Sequence, residues 1–161
     1  MPLLVHLAPK KNVGAIRRSG IKSRRRIDGA TFAMPVLKNF IVTHQWMREL
    51  RRRGQRSFCG VYFQIPDDEI VSFGHYNNLH VEISAAAAVG AIMKADDPLG
   101  MQIIVRRRIA PREIVKIRPL PQGIGWRYFP KAHETPLCCC PACVWRGEAF
   151  SRRLREAWER M

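Results

Sequence analysis

The apolar residues of this 161-residue chain fall into short segments that alternate irregularly between strand-like and helix-like patterns. Strands are predicted at residues 3–7, 57–65, 70–75, 100–105, 114–119 and 124–129, and helices at 12–17, 43–52, 85–94 and 146–160. Because strands and helices do not alternate one for one, a doubly wound parallel sheet is not expected. The sequence therefore predicts an α+β fold.

Capping residues and turn signals set the expected helix boundaries. Asn12 is predicted to cap the first helix, which Gly20 ends. Thr43 is predicted to cap the second helix, and Ser84 the Ala-rich third. Residues 21–36 are basic and irregular, so a loop is predicted there.

The charge of the chain points to a polyanionic partner. The 28 Lys and Arg residues outnumber the 13 Asp and Glu residues, which gives a net charge of +15. Arginine dominates, in runs at 24–26, 51–53 and 106–108. A GC-rich genome would explain arginine in place of lysine, but not the excess of positive charge. We therefore expect nucleic acid as a partner.

Nothing in the sequence suggests a membrane or secreted protein. No run of about 18 apolar residues is present, and residues 1–7 lack the basic start and small-residue cleavage site of a signal peptide. A cytoplasmic location is expected. Cys59 stands alone in an apolar segment and is predicted to be a buried thiol.

The remaining cysteines form a compact cluster after residue 133. In a reducing compartment, cysteines packed this closely favour metal binding over disulfides. A structural zinc site is predicted, because four protein ligands leave no open position on the metal. The expected ligands are His133, Cys138, Cys140 and Cys143. A reduced, unliganded turn and a redox-active pair are the alternatives.

Three predicted strands carry polar residues that an apolar strand does not need. These residues are His6, Tyr62 and Gln102. Each has an ordinary interpretation on its own, as a hydrogen-bonded core histidine, a sheet tyrosine and an edge glutamine.

Taken together, the segments around these residues resemble the DarT family of ADP-ribosyltransferases. The opening LVHLAPKKNVGAIRRSGI, at residues 4–21, is similar to the family's first strand and following helix. GVYFQIP at 60–66 is similar to its aromatic strand. MQIIV at 101–105, followed by IAPREI at 109–114, resembles its catalytic strand. The resemblance covers about residues 3–118.

The resemblance implies a split-sheet ADP-ribosyltransferase core at residues 1–119 that binds NAD in a central cleft. Residues 120–161 would form a zinc knuckle and a basic helix packed on that core. The implied activity is transfer of ADP-ribose from NAD to a DNA or RNA base, as in a toxin or defence effector with a cognate antitoxin. The implied NAD-binding residues are His6, Leu7, Ala8, Asn12, Ala15, His44 and Tyr62, and the implied catalytic residues are Gln102, Arg48 and Tyr62.

Gln102 departs from the family pattern, which has a glutamate at this position. An amide can hydrogen-bond a ribose hydroxyl but cannot stabilise positive charge or accept a proton. The chain could be an inactivated Glu→Gln variant or a natural pseudoenzyme. Alternatively, Glu82 or Glu113 could supply the carboxylate. Weak or no turnover is expected of the sequence as it stands.

Basic and aromatic residues near the implied cleft are the candidates for nucleic-acid binding. They are Arg24, Arg25, Arg26, Arg106, Arg107, Arg108, Trp126 and Arg127. Arginine runs are also commonly solvated surface. Two other functions stay open, namely a zinc-stabilised nucleic-acid-binding module without chemistry and an RNA 2′-phosphotransferase.

Overall fold

The computed structural model describes residues 1–22, 29–51, 57–76 and 78–122. The strand predicted at 124–129, the helix predicted at 146–160 and the four proposed zinc ligands lie outside the described residues. So do Arg24–Arg26, Trp126 and Arg127.

Seven strands of the described residues form one antiparallel sheet. The order across the sheet is β5-β4-β6-β2-β1-β3-β7, so β5 and β7 are its edges. The predicted α+β class is confirmed. The strands are β1 (Leu3–Pro9), β2 (Thr31–Pro35), β3 (Phe58–Gln64), β4 (Ile70–His75), β5 (Val81–Ser84), β6 (Met101–Val105) and β7 (Ile114–Pro119).

Four short α-helices pack against this sheet. They are α1 (Val13–Ser19), α2 (Phe40–Thr43), α3 (Met47–Arg51) and α4 (Ala85–Lys94), and single 3-10 turns lie at Lys10–Asn12 and Pro111–Glu113. Ile16 of α1 and Ile92 of α4 are buried in the main apolar core. Met47 of α3 forms a smaller cluster with Leu7 and Phe58. Burial of these apolar side chains is the main force that holds the helices on the sheet.

Two strands were not predicted from the sequence. β2 lies inside the segment 21–36, so the loop prediction is wrong for Thr31–Pro35. Gly29 and Pro35 are loop signals, but pairing on both sides, with β1 and β6, holds this short segment extended. β5 was missed because four residues directly before a helix carry little periodic signal.

The helix caps confirm Ser84 and the positions of Asn12 and Gly20, and they correct the prediction for Thr43. The Ser84 hydroxyl accepts a hydrogen bond from the Ala87 N–H at 3.3 Å, as predicted. Asn12 precedes α1, but its side chain makes no capping bond. Thr43 ends α2 rather than starting a helix, and Asn39 caps α2 by accepting from two backbone N–H groups. Thr43 donates instead to backbone carbonyls, which a hydroxyl can do at either end of a helix.

Candidate functional site

The sheet divides between β1 and β2. β1 pairs with β3 along its whole length, from Leu3 to Pro9. Its pairing with β2 covers only Leu4 and Val5. On its other edge, β2 pairs with β6 from Thr31 to Ala33. Beyond Val5 no further ladder pair joins β1 to β2, and we call this unpaired stretch next to His6 the split.

The His6 side chain closes part of the split. Its Nδ1 lies 2.8 Å from the carbonyl oxygen of Phe32 on β2. A carbonyl can only accept, so Nδ1 carries the proton and Nε2 has a free lone pair. Loss of water around the ring lowers the pKa of His6, and this effect outweighs the bond to Phe32, which raises it. The imidazole is therefore neutral at pH 7 and presents an acceptor nitrogen.

The strand register places His6 on a different sheet face from Tyr62 and Gln102. His6 is opposite Val61, whereas Tyr62 is opposite Val5. Successive side chains of a strand point to opposite faces. The pairings of β1 with β2 and of β2 with β6 put Gln102 on the Tyr62 face. A single ligand could contact all three side chains only by passing through the split.

Tyr62 belongs to a buried hydrogen-bonded chain. Its hydroxyl donates to Nε2 of His44 at 2.9 Å, and Nδ1 of His44 donates to the Phe40 carbonyl at 2.9 Å. Burial lowers the pKa of His44 and raises that of Tyr62, so both groups are neutral at pH 7. The Tyr62 ring lies over Gly60, where an added Cβ would approach it to 2.9 Å.

His44 is the first of three consecutive residues that fasten the α2–α3 segment to the sheet. Gln45 is fully buried and accepts a bond from the Gly100 N–H at 2.6 Å. Trp46 donates to the Met101 carbonyl at 3.1 Å. Gln45 was missed in the sequence, because a glutamine beside a helix boundary carries no burial signal.

Gln102 is nearly buried, at 8% exposure, and contacts a second histidine. Its amide nitrogen lies 3.0 Å from Nε2 of His80. Since an amide nitrogen only donates, Nε2 of His80 accepts and its ring proton is on Nδ1. Gly74 on β4 lies beneath the His80 ring, which packs 3.1 Å from where a Cβ would be. Gly74 and His80 thus hold the Gln102 amide in place on this face of the sheet.

The two alternative glutamates lie in different surroundings. Glu82 shares the Gln102 face, because it is opposite Ser72, which is opposite Ile104. Glu82 pairs with Arg106 at 2.9 Å, and both side chains are more than half exposed. Glu113 is bound to Arg107 and to the Ala110 N–H.

Glu113 is unsuited to act as a base. Burial raises its pKa, but the bonds from Arg107 and Ala110 outweigh burial and lower it. Of the two alternatives, only Glu82 therefore offers an accessible carboxylate on the Gln102 face of the sheet.

Arg107 is enclosed by two carboxylates. Its guanidinium pairs with Glu69 at 2.8 Å and with Glu113 at 2.6 Å. These bonds raise the Arg107 pKa. In this arrangement its donors are used within the protein rather than offered to phosphate, whereas Arg108 beside it is exposed.

The other predicted residues are dispersed. Leu7 and Ala8 are buried in β1, whereas Asn12 and Ala15 are exposed on the 3-10 turn and on α1. Arg48 is half-buried in α3. Cys59 is buried, as predicted, and burial raises its pKa.

Comparisons of the chain with protein-family models, with curated proteins and with solved structures found no match. Among the described residues, no group of three His, Cys, Asp or Glu side chains is placed to hold a metal ion. Within the same residues no helix has the length and apolar character that crossing a bilayer requires.

Proposed function

We propose that the chain is an ADP-ribosyltransferase-like protein that binds NAD at the split and has a nucleic-acid base as acceptor. The observation that carries the proposal is the end of the β1–β2 pairing after Val5, beside the Nε2 lone pair of His6. β6, the next strand beyond β2, holds Gln102. Backbone N–H and C=O groups that have no ladder partner along the split, together with the Nε2 lone pair of His6, would bind the polar groups of a dinucleotide.

The proposed reaction breaks the bond between nicotinamide and ribose, and the acceptor attacks the same ribose carbon. Positive charge develops on the ribose in the transition state, and a nearby carboxylate stabilises it. Gln102 offers a hydrogen bond but no charge. The chain is therefore expected to bind NAD and to release nicotinamide slowly or not at all.

Restoring the charge tests this chemistry. Gln102→Glu is expected to raise nicotinamide release with DNA or RNA present by ~10²-fold or more. The new carboxylate would lie beside Nε2 of His80, which would donate a hydrogen bond to it once the ring proton moves from Nδ1 to Nε2. Gln64→Glu, at the far end of β3, is the matched control and is expected to change nothing. If Gln102→Glu folds and stays inert with both nucleic acids, the transferase proposal is wrong.

NAD binding separates this proposal from a nucleic-acid-binding module without chemistry. A ligand that binds the folded state raises the melting temperature with its concentration. We expect NAD to raise the melting temperature of the protein. His6→Ala should reduce this NAD-induced rise, and by more than it lowers the melting temperature measured without NAD. Because Gln102 carries no charge, it favours the nucleic-acid-binding module over the transferase. Absence of any NAD effect, together with retained nucleic-acid binding, would support it.

Zinc remains part of the proposal as a structural ion bound by His133, Cys138, Cys140 and Cys143. Four N and S ligands match the preference of zinc for a closed tetrahedral site. Metal analysis of the purified protein tests this directly. About one zinc per chain is expected, and Cys140→Ser together with Cys143→Ser should remove it.

A further inference from the structure

The positive charge of the described residues is concentrated at one edge of the sheet. α1, the 3-10 turns and β7 meet there. We call this surface the basic edge, and its cations are Lys10, Lys11, Arg17, Arg18, Lys22, Arg108, Arg112, Lys116 and Arg118. All of them are exposed except Lys116, which is half-buried.

Acidic residues are nearly absent from the basic edge. Residues 1–22 contain no Asp or Glu, and residues 108–122 contain only Glu113. Glu113 is bound by Arg107 and also interacts electrostatically with Arg112, so it offsets only part of this charge. Within the part of the chain that the structure describes, no carboxylate pairs with a cation of the basic edge. These cations therefore act together on an approaching anion.

Apart from Glu113, the acidic side chains of the described residues lie outside the basic edge. Most are next to β4, β5 and α4, at Asp67, Asp68, Glu69, Glu82, Asp96 and Asp97. The sheet thus has a positive edge at β7 and acidic groups toward β5. Such a separation of charge orients the protein toward a polyanion before contact.

A groove runs through the basic edge. Its walls carry Arg17 on α1 and Lys116 on β7, and Pro111, Ile114 and Ile117 form the remainder. Its volume of about 270 Å³ is below the roughly 300–1,000 Å³ of clefts that enclose a small-molecule ligand. Two cations that line one small groove suit one phosphate of a chain better than a whole nucleotide.

We propose that the basic edge binds the phosphate backbone of a nucleic-acid strand, with one phosphate between Arg17 and Lys116. The remaining cations would contact neighbouring phosphates on either side of the groove. Phosphate contacts fix the position of a strand without reading its sequence. The proposal rests on nucleic acid as the partner in the proposed function, but not on NAD chemistry.

This surface differs from the one that the arginine runs suggest. Arg106 and Arg107 are paired with Glu82, Glu69 and Glu113, so their charges are compensated within the protein. Lys116 also lies 4.9 Å from the centre of the Tyr62 ring. A nucleic-acid strand on the basic edge would thus run along β7, which β1 and β3 separate from the split.

Salt dependence of binding is the direct measurement. Anisotropy of a fluorescent 20-nucleotide single strand of DNA or RNA, without NAD, gives the affinity over a range of KCl concentrations. The double variant Arg17→Gln, Lys116→Gln should bind more weakly. Its slope of log affinity against log salt should fall by about 1.4, at about 0.7 per lost contact.

A matched variant separates the site from the general loss of charge. Lys38→Gln with Lys94→Gln removes the same charge from exposed positions outside the basic edge and should leave the slope unchanged. Equal losses in both double variants would overturn the proposal. The proposal would also be overturned if the Arg17, Lys116 double variant kept the salt slope of the native protein while replacement of Arg24–Arg26 by serine reduced that slope.

A further measurement distinguishes a membrane partner from nucleic acid, and the assay conditions keep this test independent of the transferase proposal. If the same variant loses binding to phosphatidylserine vesicles while neither DNA nor RNA binds the native protein, the surface is a membrane surface and the proposal is wrong. Because the assay contains no NAD, the nucleic-acid result stands whether or not Gln102→Glu releases nicotinamide.

Discussion

The hydroxyl of Tyr62 donates a hydrogen bond to Nε2 of His44, 2.9 Å away, and this bond joins β3 to the end of α2 inside the protein. His44 is 2% exposed and Tyr62 is 6% exposed. Neither group can exchange its partner for water without opening the core. The α2–α3 segment is therefore fastened to the sheet by a polar contact with few alternatives.

Removal of the Tyr62 hydroxyl should destabilise the fold, because it leaves Nε2 of His44 without its hydrogen-bond donor. Tyr62→Phe keeps the ring but leaves the His44 acceptor buried without a donor, which costs about 1–3 kcal/mol. Urea unfolding measures the change. In a double-mutant cycle with His44→Leu, the effects should be clearly non-additive. Additive effects would contradict a direct Tyr62–His44 bond.

The histidines make stability depend on pH in a defined direction. Burial lowers the pKa of both His6 and His44 from 6.5, so near and below that pH the unfolded chain binds more protons than the folded one. Their contribution is complete above pH 6.5 and is lost as the pH falls through the folded pKa values. The free energy of unfolding should decline from pH 7 to pH 5, measured by urea titration. A variant with both histidines replaced should show a flatter profile, and an unchanged profile would contradict this origin.

Arg107 should matter for stability far more than its neighbour. Arg107→Ala leaves Glu69 and Glu113 close together, with side chains only 17% and 19% exposed. We expect a loss of about 1–3 kcal/mol, below the range for fully buried pairs because Arg107 is 39% exposed. Arg106→Ala is the matched control and should cost about 0–1 kcal/mol, since its pair with Glu82 is solvated. Similar losses in chemical unfolding would show that the two-carboxylate enclosure adds nothing.

Substitution by alanine should have opposite effects on stability at Gly20 and Gly90. Gly20 ends α1 at φ +74°, and an added Cβ would lie 1.9 Å from the backbone oxygen of Ile109. Gly20→Ala should therefore cost more than about 1 kcal/mol. Gly90 is inside α4 with nothing within 4 Å of an added Cβ, so Gly90→Ala should stabilise by roughly 0.5–1 kcal/mol. Melting temperatures that move in the same direction for both would contradict these placements.

The local sequence was sufficient where a segment carries its own period or cap. The strands at 57–65, 70–75 and 114–119 agree with β3, β4 and β7 within a residue, because aromatic and β-branched residues favour an extended chain. The helix at 85–94 is capped by Ser84 as predicted, since capping depends on neighbours three residues away. The burial of Cys59 follows from the apolar segment around it.

Only the tertiary structure decided which distant groups meet. β2 exists because β1 and β6 lie on either side of it, and the split exists because β2 leaves β1 after two residue pairs. The face on which His6 lies relative to Gln102 depends on the register of three strands, β1, β2 and β6. The availability of Arg107 depends on carboxylates 38 and 6 residues away. Hydrogen bonds and ion pairs act over a few ångströms in space, whereas sequence patterns describe only neighbours along the chain.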